Sequence, residues 1–411
     1  MGMKQLSVRC CIVGGGPAGM MLGLLLARAG IDVIVLEKHA DFFRDFRGDT
    51  IHPSTLELMH ELGLLEEFLK LPHQEIAQLK AWFGTTELAV ADFTQLPTRC
   101  RFIALMPQWD FLDFLAREAR RYPAFRLLMQ AEAIQVTEEA GRITGVRADT
   151  PDGALEFRAD LVVGADGRHS TLRQAAGLAV EELGAPLDVL WLRLPRRPGD
   201  PEETAIRFGS GRLLVLLNRG EYWQAGYAIA KGSLDDIHAK GLPELRRHVA
   251  DLAPFMRDRV DELDNWQKIK LLTVRVDRLR RWCRAGLLCI GDAAHAMSPV
   301  GGVGINLAIQ DAVAAANILA EPLRNGSVTE ADLLRVQRRR ELPTRMIQRM
   351  QIFVQNHVIA NVLGGREEHR PPRPPRLLRV IARVPWFRRL AARLIGIGIR
   401  PEHIRTPPRR G

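Results

Sequence analysis

The chain has 411 residues, of which 46% are hydrophobic and 26% are charged. This composition is typical of a soluble globular enzyme of two or three domains, and it excludes a disordered chain, a collagen-like repeat or a coiled coil. The formal net charge of +10 favours an acidic partner if it is taken over the whole chain. However, residues 366–411 contain 13 Arg and three acids, whereas the first 365 residues contain 45 basic and 45 acidic side chains. The excess charge therefore belongs to the C-terminal tail.

The cysteines and the lack of long apolar segments bear on the location of the protein. No stretch of about 18 residues is both apolar and free of charge, and the first residues do not follow the pattern of a signal peptide. We therefore expect a cytoplasmic protein without a membrane-spanning helix. The cysteines have no zinc-ribbon or CxxC spacing, which favours buried thiols in a reducing compartment; they are Cys10, Cys11, Cys100, Cys283 and Cys289.

The first 40 residues contain a βαβ pattern. Residues 8–13 form an apolar, β-branched run typical of a buried parallel strand, residues 20–29 have helical composition, and residues 31–36 predict a second strand that ends at Glu37. The turn between strand and helix reads Gly14-Gly15-Gly16-Pro17-Ala18-Gly19. Its glycines allow a tight turn, the approach of a pyrophosphate and close helix–strand packing. With an acid placed to accept ribose hydroxyls, the pattern predicts a dinucleotide site for NAD or FAD.

Strand types alternate along the rest of the chain. Patterns typical of parallel βα units occupy residues 1–72, 101–180 and 276–340, and runs typical of antiparallel strands fill residues 73–100 and 181–275. We therefore expect an α/β fold, in which a discontinuous Rossmann-like domain with a parallel sheet is interrupted by an antiparallel-sheet substrate domain. Residues 341–411 are predicted to form a C-terminal helical segment that ends in the basic tail.

Two later stretches place an aspartate directly after a buried strand. Residues 161–164 lead into Asp166-Gly167 and the start of a helix, a pattern that also fits an ordinary helix cap. Residues 287–290 lead into Gly291-Asp292, and a glycine-rich loop at 299–306 then opens another helix. The backbone N–H groups of such a loop form an electropositive nest that suits an anionic ring atom.

In the order and spacing of these three motifs, residues 8–320 closely resemble the single-component (group A) FAD-dependent aromatic monooxygenases of the p-hydroxybenzoate hydroxylase fold. The resemblance implies that the discontinuous Rossmann-like domain binds FAD and that the antiparallel sheet binds substrate. The sequence has no second GxGxxG. This agrees with the lack of a separate nicotinamide domain in the family, and it counts against Baeyer–Villiger monooxygenases and disulfide reductases.

The resemblance also implies roles for individual residues. The glycine motif would hold the FAD pyrophosphate, Glu37 the adenosine ribose, and Asp292 the ribityl chain. Arg47 and Pro299 would lie near the flavin ring, and the loop that starts at Pro299 would wrap the isoalloxazine. The full set of cofactor residues implied in this way is Gly14, Gly16, Pro17, Ala18, Gly19, Glu37, Lys38, Arg47, Gly48, Thr50, Gln108, Asp166, Gly167, Gly291, Asp292, Pro299, Gly301, Gly302, Val303, Gly304, Ile305 and Asn306.

The reaction implied by the resemblance has two halves. NADPH or NADH, as a transient reductant, reduces FAD, and O₂ then forms a flavin hydroperoxide that transfers one oxygen to the substrate. The expected substrate is an aromatic, polycyclic or isoprenoid small molecule that is hydroxylated or epoxidised, and no metal is required. The alternatives of the same fold are a flavin reductase, a dehydrogenase or a halogenase. The WxWxIP stretch of halogenases is absent.

The predicted substrate contacts are fewer. Tyr222 and Gln224 lie on a predicted strand of the second sheet, where they either face an aromatic ligand over the flavin or fill the interdomain core. Pro299 is the third residue of this set. His295 is interpreted as a packed histidine rather than a catalytic one, and no acid–base residue is assigned.

The basic tail has an amphipathic pattern. Arginines recur at helical spacing from Arg376 onward, and the aromatic pair Trp386-Phe387 follows Pro385. One interpretation is a flavoprotein that acts through this tail, by peripheral membrane contact of residues 370–411 or by binding nucleic acid. We favour a pair of C-terminal helices that closes the cleft, because the apolar stretches are short and interrupted. We expect no nucleic-acid partner, since no binding motif accompanies the charge.

Overall fold

The computed structural model describes residues 4–43, 50–363, 374 and 376–408. In this part of the chain, α-helices alternate with strands over the first half and dominate from residue 304 onward. The helices are α1 (Pro17–Arg28), α2 (Pro53–Glu61), α3 (Leu65–Leu69), α4 (Gln108–Ala119), α5 (Thr171–Ala175), α6 (Leu234–Lys240), α7 (Leu242–Leu252), α8 (Gly304–Asn325), α9 (Glu330–Val354), α10 (Ala360–Leu363), α11 (Arg376–Arg383) and α12 (Pro385–Gly396).

The strands belong to two main sheets and two small ones. They are β1 (Lys4–Val13), β2 (Val33–Glu37), β3 (Thr50–Ile51), β4 (Gln74–Ile76), β5 (Gln78–Phe83), β6 (Thr86–Asp92), β7 (Ile103–Leu105), β8 (Phe125–Met129), β9 (Glu132–Glu139), β10 (Arg142–Thr150), β11 (Gly153–Gly164), β12 (Val180–Glu182), β13 (Leu187–Pro195), β14 (Ala205–Gly209), β15 (Arg212–Asn218), β16 (Tyr222–Ala230), β17 (Lys270–Leu272), β18 (Asp277–Leu279), β19 (Cys283–Arg284) and β20 (Leu287–Cys289).

The first main sheet has a parallel centre. Its strand order is β19-β20-β11-β1-β2-β8, and β1 is parallel to both of its neighbours, β11 and β2. Every residue of β2 is buried, as expected for a parallel strand that is covered on both faces. Helices α1 and α8 pack against each other and against β1. The predicted Rossmann-like arrangement is therefore present.

The second main sheet has the order β17-β13-β16-β15-β14-β5-β6 and is antiparallel except for the parallel pair of β5 and β14. One face packs on α7 through a core that includes Trp223 and Leu245. The opposite face carries an apolar cluster that includes Val189, Phe208 and Ala228. Because the strands of this sheet come from two separate chain segments, the predicted interruption of one domain by another is confirmed at the level of fold.

The structure corrects several predicted element boundaries. Helix α1 begins at Pro17, so the last three residues of the glycine motif belong to the helix, where proline is favourable in the first turn. The chain between Pro53 and Leu69 forms two helices, α2 and α3, because Gly63 between them has a φ of +72°. The segment at 101–180 also contains the antiparallel strands β9 and β10. Most residues of β9 are exposed, so its sequence carries no signal of a buried strand.

Two helical regions complete the fold. The segment Val300–Asn325 is long and apolar enough to span a membrane, but 78% of its most apolar window is buried inside the protein, as in the core helix of a globular domain. At the C-terminus, α12 packs on β6 and confirms the predicted helix. A Cβ atom at Gly396 would lie 2.9 Å from Leu96 Cδ1, which shows how closely α12 approaches the chain beneath it.

Candidate active site

The three sequence motifs meet at one edge of the first sheet. The Ala165 amide donates to the Val13 carbonyl at 2.8 Å, and the Ile290 amide donates to the Gly164 carbonyl at 2.9 Å. These bonds join the carboxyl ends of β1, β11 and β20, which are adjacent in the sheet. The glycine turn, the Asp166-Gly167 turn and the Gly291-Asp292 turn therefore lie side by side, at the edge where open α/β sheets bind ligands.

The glycine turn has the local geometry of a phosphate cradle. Gly14 has a φ of +107°, and a Cβ atom there would lie 2.3 Å from the Ala165 carbonyl oxygen. By contrast, a Cβ atom at Gly16 would meet no atom within 4 Å. Gly16 is the N-cap of α1, so the free N–H groups and the dipole of that helix end face open space.

Glu37 closes the turn from the end of β2. Its carboxylate is buried and accepts the Gly15 amide at 2.9 Å and the His39 amide at 3.0 Å. Each carboxylate oxygen has two lone pairs, so further hydroxyl donors can still bind. The neighbouring Lys38 is exposed, and its Nζ lies 4.0 Å from the Glu132 carboxylate.

The two aspartate turns are linked to each other. The Asp292 carboxylate lies 3.3 Å from the Arg168 guanidinium. One oxygen of Asp166 accepts the Leu172 amide at 3.2 Å, while Oδ1 is buried without a hydrogen-bond partner among the described residues. Burial raises the pKa of this carboxyl, although hydrogen bonds from nearby donors oppose the shift. Gly167, with a φ of +83°, has open space around its Cβ position.

The loop before α8 is tied to β3 and the start of α2. Thr50 Oγ1 donates to the Gly302 carbonyl at 2.8 Å, and Asn306 Nδ2 donates to the Thr50 carbonyl at 3.1 Å. Asn306 Oδ1 accepts the His52 amide at 2.9 Å. Gly301 has a φ of +80°, and no side chain caps the start of α8. The first-turn amides of α8 are thus left for another acceptor; the loop and first turn also contain the predicted residues Pro299, Val303, Gly304 and Ile305.

The structure says less about three further residues of the predicted cofactor site, which are Gln108, Arg47 and Gly48. Gln108 is the first residue of α4 and is half-buried, next to Trp109, whose ring lies 4.9 Å from that of Phe43. Arg47 and Gly48 lie outside the described residues.

The apolar cluster of the second sheet also contains Val300, from the loop before α8. This contact places the loop against that face of the sheet. Trp191 lies on the same face and covers β16, because a Cβ atom at Gly226 would be 3.0 Å from its ring. The same cluster contains Val358 and Ile359, from the helical segment after α9, so an apolar layer between sheet and helix lies next to the loop.

The predicted substrate residues Tyr222 and Gln224 take part in side-chain pairs. The Arg193 guanidinium lies 3.7 Å from the centre of the Tyr222 ring, and Gln224 Oε1 accepts from Arg219 Nε at 3.1 Å. Trp223, between them, faces the other core and donates to Asp200 at 3.0 Å. Tyr222 is not one of the side chains of the cluster around Val300, so its role as a substrate contact stays a prediction.

Sequence reasoning missed two buried charged residues behind the turns. The Arg173 guanidinium donates to the carbonyl of Arg168 and lies 3.4 Å from the carbonyl of Ala293, so it joins the two aspartate turns. Asp311, on α8, accepts the Gly291 amide at 3.1 Å and faces His295 Nε2 at 2.6 Å. His295 is 1% exposed and lies against Asp311, which agrees with the interpretation of a packed histidine; its lack of a catalytic role stays a prediction. Asp311 is the only charged residue of α8 between Gly304 and Ala320, and this isolated charge was the available signal.

Within the described residues, no group of three or more His, Cys, Asp or Glu side chains could hold a metal ion. All five cysteines are buried and unpaired, which confirms the prediction of buried thiols. Burial raises the pKa of Cys11 to about 12, so this thiol is not a nucleophile at neutral pH.

The geometry fits a bound FAD. The open space above Gly16 at the N-terminus of α1 suits a pyrophosphate, Glu37 suits a ribose, and the uncapped start of α8 suits an anionic edge of a ring. The unpartnered Oδ1 of Asp166 leaves one more acceptor at the same edge. Fold and site together therefore define an α/β flavoenzyme with one dinucleotide cradle.

Residues 7–350 match the family described as FAD binding domain, and the chain belongs to this family. It is 32% identical over 386 residues to the 6-methylpretetramide 4-monooxygenase of Streptomyces rimosus, a match that covers 93% of this chain and 91% of that protein. It is 27% identical over 335 residues to the para-nitrophenol 4-monooxygenase of a Pseudomonas species, with coverage of 78% and 79%. The enzyme is an FAD-dependent monooxygenase of this family.

Solved structures show the same fold. The OxyS anhydrotetracycline hydroxylase from Streptomyces rimosus superimposes with a TM-score of 0.75 at 21% sequence identity, covering 96% of this chain and 77% of that chain. The predicted architecture is thereby confirmed over nearly the whole length of the chain.

Proposed function

We propose that this enzyme uses NAD(P)H and O₂ to hydroxylate a planar, polycyclic aromatic compound. We infer the substrate class from one observation: Val300 contacts the apolar face of the second sheet, where Trp191 also lies. An apolar layer beside the cofactor loop suits an apolar aromatic ligand. The 6-methylpretetramide 4-monooxygenase, which aligns over most of both chains, supports the same class.

The chain offers a holding group for each part of FAD. The Gly16 amide and the N-terminus of α1 would bind the pyrophosphate, Glu37 the adenosine ribose, and Asp292 the ribityl chain. When bound, FAD supplies hydride acceptance from NAD(P)H and the activation of O₂. The backbone N–H groups at the start of α8 would stabilise negative charge on the ring edge, since they are already oriented before any charge develops.

The chain's contribution to the oxygen transfer would be position and dryness. The apolar face around Val300 and Trp191 would exclude water from the reacting atoms, and it would hold the aromatic ring by contact area rather than by charge.

All five thiols are buried and free, which supports the expected cytoplasmic location.

The test is substrate-stimulated turnover in a panel of polycyclic phenols, with NADH and NADPH compared. We expect NAD(P)H oxidation that rises with substrate and requires O₂, together with a product that gains one oxygen atom from ¹⁸O₂. A product that forms without O₂ would instead identify a reductase or dehydrogenase of the same fold. A halogenated product formed only in the presence of halide would identify a halogenase.

We further propose that the outer surface of α11 and α12 docks on an anionic membrane. The residues that carry this proposal are apolar side chains exposed on the face of α12 opposite to β6: Trp386 is 62% exposed and Phe387 is 37% exposed. The arginines around them that are exposed and form no ion pair with a described residue are Arg379, Arg383, Arg389 and Arg393. Aromatic rings beside uncompensated arginines suit the interface of an anionic lipid surface.

Vesicle sedimentation tests this docking. The wild-type enzyme should bind vesicles that contain phosphatidylglycerol and not vesicles of phosphatidylcholine, and added salt should weaken the binding. A variant with Trp386→Ser, Arg389→Gln and Arg393→Gln should lose most of it, whereas the surface control with Arg120→Gln and Arg121→Gln should not. Binding that is equal in all three proteins, or absent from the wild type, would refute the docking proposal.

A further inference from the structure

An irregular segment near the C-terminus contacts the helices of the FAD-binding half of the molecule; we call residues 400–406 the C-terminal strap. The strap has no regular secondary structure, yet it is bonded to several helices. Arg28 of α1 donates to the Thr406 carbonyl at 2.7 Å, and Glu61 of α2 accepts the Ile404 amide at 2.7 Å. Asn317 of α8 binds the backbone of the strap twice, at 2.8 Å in each case.

One strap residue, Glu402, reaches into the protein interior. It is 6% exposed, and its carboxylate lies 3.2 Å from Arg340 Nη1 and 2.7 Å from Arg339 Nε. Arg340 is itself 1% exposed and also lies 3.3 Å from the Arg400 carbonyl. The strap thus supplies a buried carboxylate to a buried guanidinium of α9.

The other side of Arg340 faces the cofactor turn. Its Nε lies 3.0 Å from Asp311 Oδ1, and Asp311 Oδ2 accepts the Gly291 amide at 3.1 Å. Asp311 is fully buried, and His295 Nε2 lies 2.6 Å from the same Oδ2. A continuous chain of charged groups therefore runs from the strap through α9 and α8 to the amide of Gly291.

Gly291 has little freedom of its own. Its φ is +59°, and a Cβ atom there would lie 3.2 Å from Ala18 of α1 and 3.2 Å from Ala308 of α8. The residue is therefore confined between the two helices that carry the phosphate cradle and the ring-edge loop. A shift of the Asp311 carboxylate would break its hydrogen bond to the Gly291 amide, which lies next to Asp292 in the chain.

We propose that Glu402 is a positioning residue for FAD: through Arg340 and Asp311 it fixes the Gly291-Asp292 turn, so that the C-terminal strap controls how tightly the cofactor is held. The physical reason is that a buried charge is strongly destabilised when one partner is removed, and the groups around it rearrange to find another. The inference rests on the proposed FAD site, in which Asp292 holds the ribityl chain.

Equilibrium titration of FAD into the cofactor-free enzyme tests this. Glu402→Gln should raise the FAD Kd about tenfold and change the visible circular dichroism of the bound flavin, since it alters the turn that orients the cofactor. Glu402→Asp, which keeps the charge, should recover part of the lost affinity. Asn317→Ala is the matched control, because it removes two strap bonds without touching Arg340 or Asp311. It should lower the unfolding midpoint but leave the FAD Kd and the spectrum unchanged.

The possible outcomes distinguish the positioning role of Glu402 from the existence of the FAD site. A folded Glu402→Gln enzyme with wild-type FAD Kd and spectrum would overturn the positioning role. So would an Asn317→Ala enzyme that loses as much FAD affinity as Glu402→Gln, since strap stability alone would then explain the effect. If Glu402→Gln does not fold, Arg340→Lys replaces it, because a lysine keeps the charge but lacks the two separate nitrogens that pair with Glu402 and Asp311; a folded Arg340→Lys enzyme with wild-type Kd and spectrum would overturn the positioning role equally. A wild-type enzyme that does not bind FAD would instead refute the FAD site, and with it the proposed function.

Discussion

His52 is a buried histidine at the junction of the cofactor loop and the C-terminal helix. Its backbone amide donates to Asn306, and its Nδ1 lies 2.7 Å from the Ile395 carbonyl at the end of α12. Burial lowers the pKa of the His52 imidazole to about 4, and the hydrogen bond to Ile395 only partly opposes this shift. The folded protein therefore favours the neutral form of the His52 imidazole.

The depressed pKa makes stability depend on pH. The unfolded chain takes up this proton near pH 6.5 and the folded protein only near pH 4, so the contribution is complete above pH 6.5 and is lost as the pH falls towards 4. Between pH 7 and pH 5 the loss is roughly 2 kcal/mol. We expect chemical unfolding to show a steeper decrease for the wild type than for His52→Gln over this range. Curves that run parallel would contradict the assignment.

Single residues differ in how far the sequence predicts them. Gly14 could be predicted because a short motif between a strand and a helix already fixes its conformation, and its φ of +107° confirms it. Asp311, Arg340 and Glu402 could not, because they are far apart in the chain and their pairing depends on how two helices and the strap pack. The spacing of charged residues along the chain does not predict such contacts.

At the scale of elements, buried strands and amphipathic helices were predictable and polar strands were not. β2 is a short apolar strand that is buried along its whole length, and α8 has a long apolar pattern, as expected for central elements. β9 has mostly exposed residues and pairs only with β10, so its sequence resembles a loop. The strap has neither helical nor strand periodicity, because its order comes from side chains of four helices rather than from its own backbone pattern.

The tail illustrates the same limit. Its helical spacing correctly predicted α11 and α12, and Ala392 and Gly396 on the inner face of α12 are buried. The expectation that these helices close the cleft stays a prediction, although their packing on β6 agrees with it. The outer face of α12 carries exposed aromatic side chains, and a one-dimensional pattern does not distinguish the two faces.

At the scale of the whole molecule, the excess positive charge is confined to the C-terminal tail. The neutral body contains both sheets and the cofactor cradle, so the net charge of +10 carries no information about the substrate. The substrate class depends instead on the meeting of the loop before α8 with the apolar face of the second sheet. This contact joins segments that are far apart in the sequence, so the sequence alone does not predict it.

The central claim is that the open backbone at Gly16 receives the pyrophosphate of FAD, and its most direct test is FAD titration of cofactor-free wild type and Gly16→Val. Because a Cβ atom at Gly16 meets no protein atom within 4 Å, the variant should fold with an unchanged unfolding midpoint. We predict that its affinity for FAD falls by roughly a hundredfold or more, since the side chain fills the space of the ligand. As a contrast, Gly14→Ala should lower stability, because its Cβ would lie 2.3 Å from the Ala165 oxygen. A folded Gly16→Val enzyme that binds FAD with wild-type affinity would contradict the account.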